Sequence, residues 1–175
     1  MACRSIALNG ISGHCSTAVG GIVEVYIAEA SDVSALTYDS SNNVITAITM
    51  DTDKKFKKYT FRPQSSDFTS EFSSDVATGS AYWTSTVNMV FARAEASKRL
   101  DILALVTDDC VAIVRDKNGN YIYMGEENPV VASGGTHETG TSSTDRNAYT
   151  VSLQTESAEP PHFVDASIIS GIVAE

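Results

Sequence analysis

The sequence predicts a mainly β fold: an antiparallel β-sandwich or barrel flanked by one α-helix, with extended loops or arms. Three observations carry that expectation. Residues alternate between a more apolar and a more polar face over several short segments, above all Val23–Ala28 and Ala81–Ala92. Turn clusters such as Asp39-Ser-Ser-Asn-Asn43 and Asp116-Lys-Asn-Gly-Asn120 separate those segments. Helical spacing of apolar residues appears chiefly in Ala94–Val106, and Thr, Ser, Val and Ala carry much of the remaining chain.

The elements follow in order. Residues 1–21 are rich in Gly, Ser and Ala and read as an N-terminal arm of turns or extended chain. In the next segment Val23, Val25 and Ile27 alternate with Glu24, Tyr26 and Ala28, which predicts a half-buried strand. Val44–Met50 is a second strand. Lys55–Arg62, alternating around Phe56, Tyr59 and Phe61, is a third, closed by Pro63. Ser65–Ser80 is dominated by Ser and Thr and lacks clustered helix formers, so a strand is favoured there. Ala81–Ala92 is the strongest strand, with Trp83, Ser85, Val87, Met89 and Phe91 on the expected core face.

The helix over 94–106 is expected to lay a stripe of Ala96, Leu100, Ile102, Leu103 and Leu105 on a sheet, with Glu95 and Arg99 paired four residues apart. Cys110–Arg115 and Tyr121–Met124 form a hairpin through the 116–120 turn, where Gly119 is free to take positive φ. Residues 126–145 read as a long Gly/Ser/Thr/Glu loop, mobile in the isolated chain. Tyr149–Thr155 is a strand, and Ile168–Val173 a last short one. The expected organisation is an arm (1–21), a β domain (22–166) and a C-terminal strand or arm (167–175).

The 175 residues suffice for one domain with a real core. A net charge of -10 argues against a nucleic-acid reader, though not against a surface that DNA must pass without sticking. The charge is uneven: Lys54, Lys55, Lys57, Lys58 and Arg62 form a basic run, while the chain beyond Asn118 is strongly acidic. Such patches could pair head to tail between copies. Cys3, Cys15 and Cys110 are too few and too irregular for a disulfide framework, and Cys110 reads as a buried thiol. Neither a signal peptide nor a run of 18 apolar residues is recognised, so a cytoplasmic origin without a membrane anchor is expected.

No constellation reads as catalytic, metal-binding or cofactor-binding. His14 beside Cys15 offers two metal ligands where a structural zinc site needs four. A Cys15 nucleophile lacks a nominated base. Asp108-Asp109 and Glu126-Glu127 are adjacent carboxylates, and neighbours in a strand point to opposite faces. The 116–120 turn starts like a calcium loop and then lacks the later ligands.

From about Phe56 to Leu153 the order of elements resembles the tail tube proteins of long-tailed bacteriophages. The segments that carry the resemblance are TSEFSSDVATGSAYWTSTVNMVF, SKRLDILAL, VAIVRDKNGNYIYMGEENPV and DRNAYTVSLQTESAEPP. It implies a non-enzymatic virion protein, made in the host cytoplasm, whose hexameric rings stack into a hollow tube. DNA would pass through that tube without specific binding, and other tail proteins would be partners. Residues 65–92 would be the lumen-lining and intersubunit sheet, 94–106 an outer helix, and 1–20 and 126–145 inter-ring arms. The basic run is assigned to a subunit interface opposite a neighbour's acidic groups, so the candidate interface residues are Lys54, Lys55, Lys57, Lys58, Glu126, Glu127 and Asp145. A tail terminator, connector or baseplate ring protein is the near alternative. A monomeric ligand-binding β-sandwich and a small hydrolase using Cys15 or an acidic pair are the more distant ones.

Overall fold

The computed structural model describes residues 10, 11, 13, 17–41 and 43–174. The strands are β1 (Ile22–Glu29), β2 (Val33–Tyr38), β3 (Val44–Met50), β4 (Lys57–Thr60), β5 (Asp67–Asp75), β6 (Ser80–Ala92), β7 (Cys110–Asp116), β8 (Tyr121–Met124), β9 (Val131–Glu138), β10 (Ala148–Ser157) and β11 (Phe163–Val164). Helix α1 (Ala96–Thr107) joins β6 to β7, and α2 (Ala166–Ile172) follows β11. The strands form two sheets, ordered β2-β3-β11-β8-β7-β1-β4 and β5-β6-β10-β9.

The sheets pack face to face as a sandwich, and neither closes into a barrel. Between them Val25 and Ile27 of β1, Ala112 and Val114 of β7, Val87 and Met89 of β6, and Val151 and Leu153 of β10 form one core. A second core lies on the opposite face of the larger sheet, where Tyr26, Ala28, Ile45, Phe56, Val111, Ile113, Tyr123 and Ile169 meet. The sequence expectation of a half-buried first strand is corrected here: Ile22 and Glu24–Ala28 are all buried. A strand covered on both faces gives a continuous buried run rather than alternation.

Helix α2 explains the second cover. Its N-cap is Asp165, whose side chain accepts from the Ser167 N–H at 2.8 Å. Ile169 buries beneath it, and Val173 bridges Phe56 in parallel. The expected C-terminal strand is therefore a helix, and among the described residues two α-helices flank the sandwich instead of one. A short apolar run such as Ile168–Val173 suits either element until its packing is known.

Other elements differ too. Residues 126–145 are not one loop, because β9 lies within them, paired antiparallel with β10 from Ala148↔Glu138 to Gln154↔Val131. β2 and β11 were not anticipated, and β11 makes a parallel pair with β3. The strands over Val44–Met50, Ala81–Ala92 and the β7–β8 hairpin stand where expected, and Trp83, Ser85, Val87, Met89 and Phe91 take the inward face of β6. Cys110 is a buried free thiol. Burial, with Asp108 nearby, pushes it up to about 11. Among residues 1–21, those described carry no helix or strand, while His14, Cys15 and Cys3 lie outside the described residues.

Candidate assembly surfaces

The smaller sheet has an open face. In register across β5, β6 and β10 it presents Asp67–Asn88–Ser152, Thr69–Thr86–Gln154 and Glu71–Thr84–Glu156. Thr150, Thr136 and Glu138 extend this face towards β9. Alternation explains it: the intervening residues Val87, Met89, Val151 and Leu153 are in the core. Hydrogen bonds tie the strands across the surface. Asn88 Nδ2 donates to Asp67 Oδ2 at 3.0 Å, and Ser152 Oγ donates to Asn88 Oδ1 at 2.7 Å. No Lys or Arg occurs in β5, β6, β9 or β10, whereas Asp67, Glu71, Asp75, Glu138 and Glu156 do.

The β5–β6 hairpin outlasts the sheet. Pairing of β10 with β6 stops at Ser157↔Trp83, while β5 follows β6 on to Asp75↔Ser80. At that point the Phe72 and Trp83 rings meet in a tilted contact with centroids 5.3 Å apart, with Phe72 still 55% exposed and Val76 at the tip 97% exposed. Among the described residues β5 is thus an edge strand with aromatic surface beside it. β9 is the other edge, and α1 packs near it.

The expected stripe on α1 is split. Leu105 is buried and Ile102 packs on the core. Leu100 and Leu103 remain 68% and 50% exposed, and Val106 beside them is 51% exposed. Glu95 pairs with Arg93 at 2.8 Å and with Lys98 at 3.8 Å, not with Arg99. Exposed Leu and Val in one helical row, next to a free strand edge, form an apolar patch of the kind used in contacts between proteins.

The fold separates the sequence-predicted interface residues, and Lys54, Lys58, Glu126, Glu127 and Asp145 are engaged within the chain. Lys54 Nζ lies 3.0 Å from Asp32, and Lys58 Nζ lies 2.6 Å from Glu24. Lys55 and Lys57 are exposed and line a cleft between β4 and α1 together with Glu29, Asp101 and Asp108. Glu126 accepts hydrogen bonds from Tyr38 Oη at 2.6 Å and contacts His162 Nδ1 at 2.7 Å. Glu127 accepts from the Ala158 N–H at 2.6 Å. Asp145 accepts from the Thr141 and Ser142 N–H groups, and those backbone bonds hold its carboxyl well below the usual range.

Sequence reasoning missed the charge centre built on Glu24. Its carboxylate is buried at the end of the second core and meets Lys58, the Tyr26 hydroxyl and Arg115 Nη1, the last at 2.7 Å. Burial alone raises its pKa, but hydrogen bonds from Lys58, Tyr26 and Arg115 prevail and lower it from 4.5 to about 2. Arg115 also lies 5.6 Å over the Tyr121 ring. Alternation of charge with apolar residues in IVEVYIAE was the available signal, but the partners come from β4 and β7.

A groove of about 610 Å³ runs beside β2. Val33, Leu36, Val111 and Tyr123 give it an apolar lining, and Asp109, Glu126 and Glu127 stand at it without any Lys or Arg. Among the described residues no cluster of three or more His, Cys, Asp or Glu could hold a metal ion, and no helix is long and apolar enough to cross a membrane. No protein-family model, curated protein or solved structure matches the chain.

Proposed function

We propose that the protein is a structural virion component whose copies assemble into stacked rings, forming the tail tube through which a long-tailed phage passes its DNA. The observation that carries this reading is the open face of the β5-β6-β10-β9 sheet, which combines carboxylates and hydroxyls with no cation in its strands. Each Lys or Arg contact to phosphate adds affinity and friction, so a conduit for DNA needs such a face. The two free edges of that sheet, β5 and β9, differ from one another. Joining unlike edges is a heterologous contact, and such contacts close into rings when the rotation permits. Hexameric rings follow from the family resemblance, as does the absence of enzymatic activity. A terminator, connector or baseplate ring protein is the same proposal with a different place in the tail.

The groove beside β2 favours a second reading, a monomeric ligand-binding β-sandwich. Sedimentation velocity and negative-stain imaging of the purified chain over a concentration series separate the two. Rings or tubes are expected; a monodisperse monomer at the highest concentration would discard the assembly reading.

A further inference from the structure

We propose that the groove beside β2 binds an extended segment of a different protein, which adds to the larger sheet as a strand and carries a Lys or Arg on the same face as its apolar side chains. It rests on the second reading of that groove, as a ligand site, and holds whether or not copies of the chain form rings.

The two ends of the larger sheet differ. β4 ends it on one side with Lys57 and Lys58 in the strand, and charge on an edge discourages the addition of another strand. β2 ends it on the other side, and its sequence VSALTY holds no charged residue and no proline. β2 pairs with β3 along one edge and, among the described residues, with no strand along the other. Its register with β3 is unbroken over Ala35–Thr37, so a regular run of backbone groups is there for an added strand to meet.

The groove follows that edge. Val33, Ser34, Ala35 and Leu36 all line it. Successive side chains of a strand point to opposite faces, so consecutive residues border a groove where it runs along the edge of the strand. Two ties fix its walls. Ala30 N–H donates to the Asp109 carbonyl at 2.9 Å ahead of β2, and the Tyr38 hydroxyl donates to Glu126 at 2.6 Å at the far end of the strand. The slot is thus already shaped, and an occupant does not have to order it.

The lining selects the occupant. Val111 and Tyr123 are buried at the groove, with Val33 and Leu36 half-buried beside them, so apolar side chains at alternate positions of an added strand have a surface to cover. Glu126 and Glu127 are already hydrogen-bonded within the chain. The exposed carboxylate of Asp109 has no such partner among the described residues, and no Lys or Arg lines the groove. A cation at the Asp109 end is therefore the complementary group.

The test titrates a fluorescein-labelled synthetic peptide, Lys-Thr-Val-Thr-Ile-Thr, with the full chain and reads anisotropy, with sedimentation velocity on the same samples. The parent chain should bind the peptide, and amide hydrogen exchange should slow at Ala35–Thr37. Asp109→Lys, checked for folding by circular dichroism, should weaken binding about tenfold, and a peptide with Glu in place of Lys should restore it to within about twofold of the parent pair. N-methylation of the peptide amides along one edge should abolish binding, and along the other should change it less than about twofold, because only one edge of an added strand meets β2. An absence of binding, indifference to both N-methylated forms, or a loss at Asp109→Lys that the Glu peptide does not repair overturns the inference. Self-association that the peptide blocks and Asp109→Lys abolishes overturns it too, by giving the groove to a second copy. Rings that bind the peptide discard the monomeric reading and keep the inference; rings that ignore it keep assembly and discard the inference.

Discussion

The two sheets of the sandwich are built from similar residue types and do different physical work. The larger sheet is covered on both faces around β1 and β7: one face meets the smaller sheet and the other meets Phe56, Ile45 and α2. The smaller sheet is covered on one face and open on the other. Charge follows the same division. Among the described residues, Glu24 is the one buried charged side chain, and it is held in the larger sheet by partners from β4 and β7. The carboxylates of the smaller sheet face outwards. Stability should therefore be concentrated in the doubly covered sheet, and surface properties should be adjustable in the other at small cost.

The largest effect that would break this division is expected at Phe56. Its ring is fully buried where β4 begins and where Val173 closes against it. Phe56→Ala should cost about 3–5 kcal/mol, because the site loses transfer energy and keeps a cavity. Urea unfolding measures this directly. A cost below about 1 kcal/mol would mean that the second core contributes little.

Next in size is Glu24→Gln. The lowered carboxyl pKa, from 4.5 to about 2, corresponds to about 3 kcal/mol of stability supplied by the ionised form. Because the folded-state pKa lies below the unfolded one, that contribution is complete above about pH 5. It fades as the pH falls through the folded value near 2. The substitution should thus cost about 3 kcal/mol at neutral pH and almost nothing near pH 2. Unfolding titrations at several pH values would show the two chains converging on the acid side; parallel curves would refute the role given to the Lys58–Glu24–Arg115 centre.

The same division explains what could be read in the sequence. β6 alternates between core and open face, so its strand identity and its inward residues Val87 and Met89 were legible. β1 is buried on both sides, and its alternation of Val with Glu and Tyr suggested exposure that the α2 cover removes. β9 is nearly all exposed and contains Gly134 and Gly135, so neither hydrophobic period nor β-branched composition marked it. Its strand character comes from pairing with β10, a contact that local sequence does not encode. The split stripe of α1 has a similar origin: apolar spacing announced the helix, but which rows meet the core depended on how β9 and β10 lie beneath it. Of the candidate interface, the charges were visible, but their intrachain partners Asp32, Tyr38, His162 and Ala158 were set by the topology.

A smaller perturbation addresses the outer edge of the smaller sheet. A Cβ at Gly135 would stand 2.8 Å from the Thr150 carbonyl oxygen of β10. Backbone there cannot yield as a flexible side-chain end can, so Gly135→Ala should push β9 away from β10. An overall cost of about 1–2 kcal/mol is expected, with faster amide hydrogen exchange confined to Val131–Glu138 and its β10 partners. Unchanged exchange in β9 would show that the edge tolerates the added methyl group and is less closely paired than its register indicates.

The smallest change in stability should accompany the largest change in surface behaviour. Thr86 and Gln154 are cross-strand neighbours on the open face, partly exposed and surrounded by Thr69, Thr84 and Glu156. Thr86→Lys with Gln154→Lys places two cations where the four strands have none, and both stems can lie along the sheet with their ammonium groups in water. The unfolding free energy should shift by no more than about 0.5 kcal/mol. If this face is one that DNA passes without sticking, the parent chain should show no retention on duplex DNA at low salt, and the variant should bind it. That binding should weaken steeply as salt is raised, since each phosphate contact releases condensed counterions. Strong DNA binding by the parent, with the same salt dependence as the variant, would mean that the carboxylates of this face do not set its behaviour towards nucleic acid, and the conduit reading would lose its principal support.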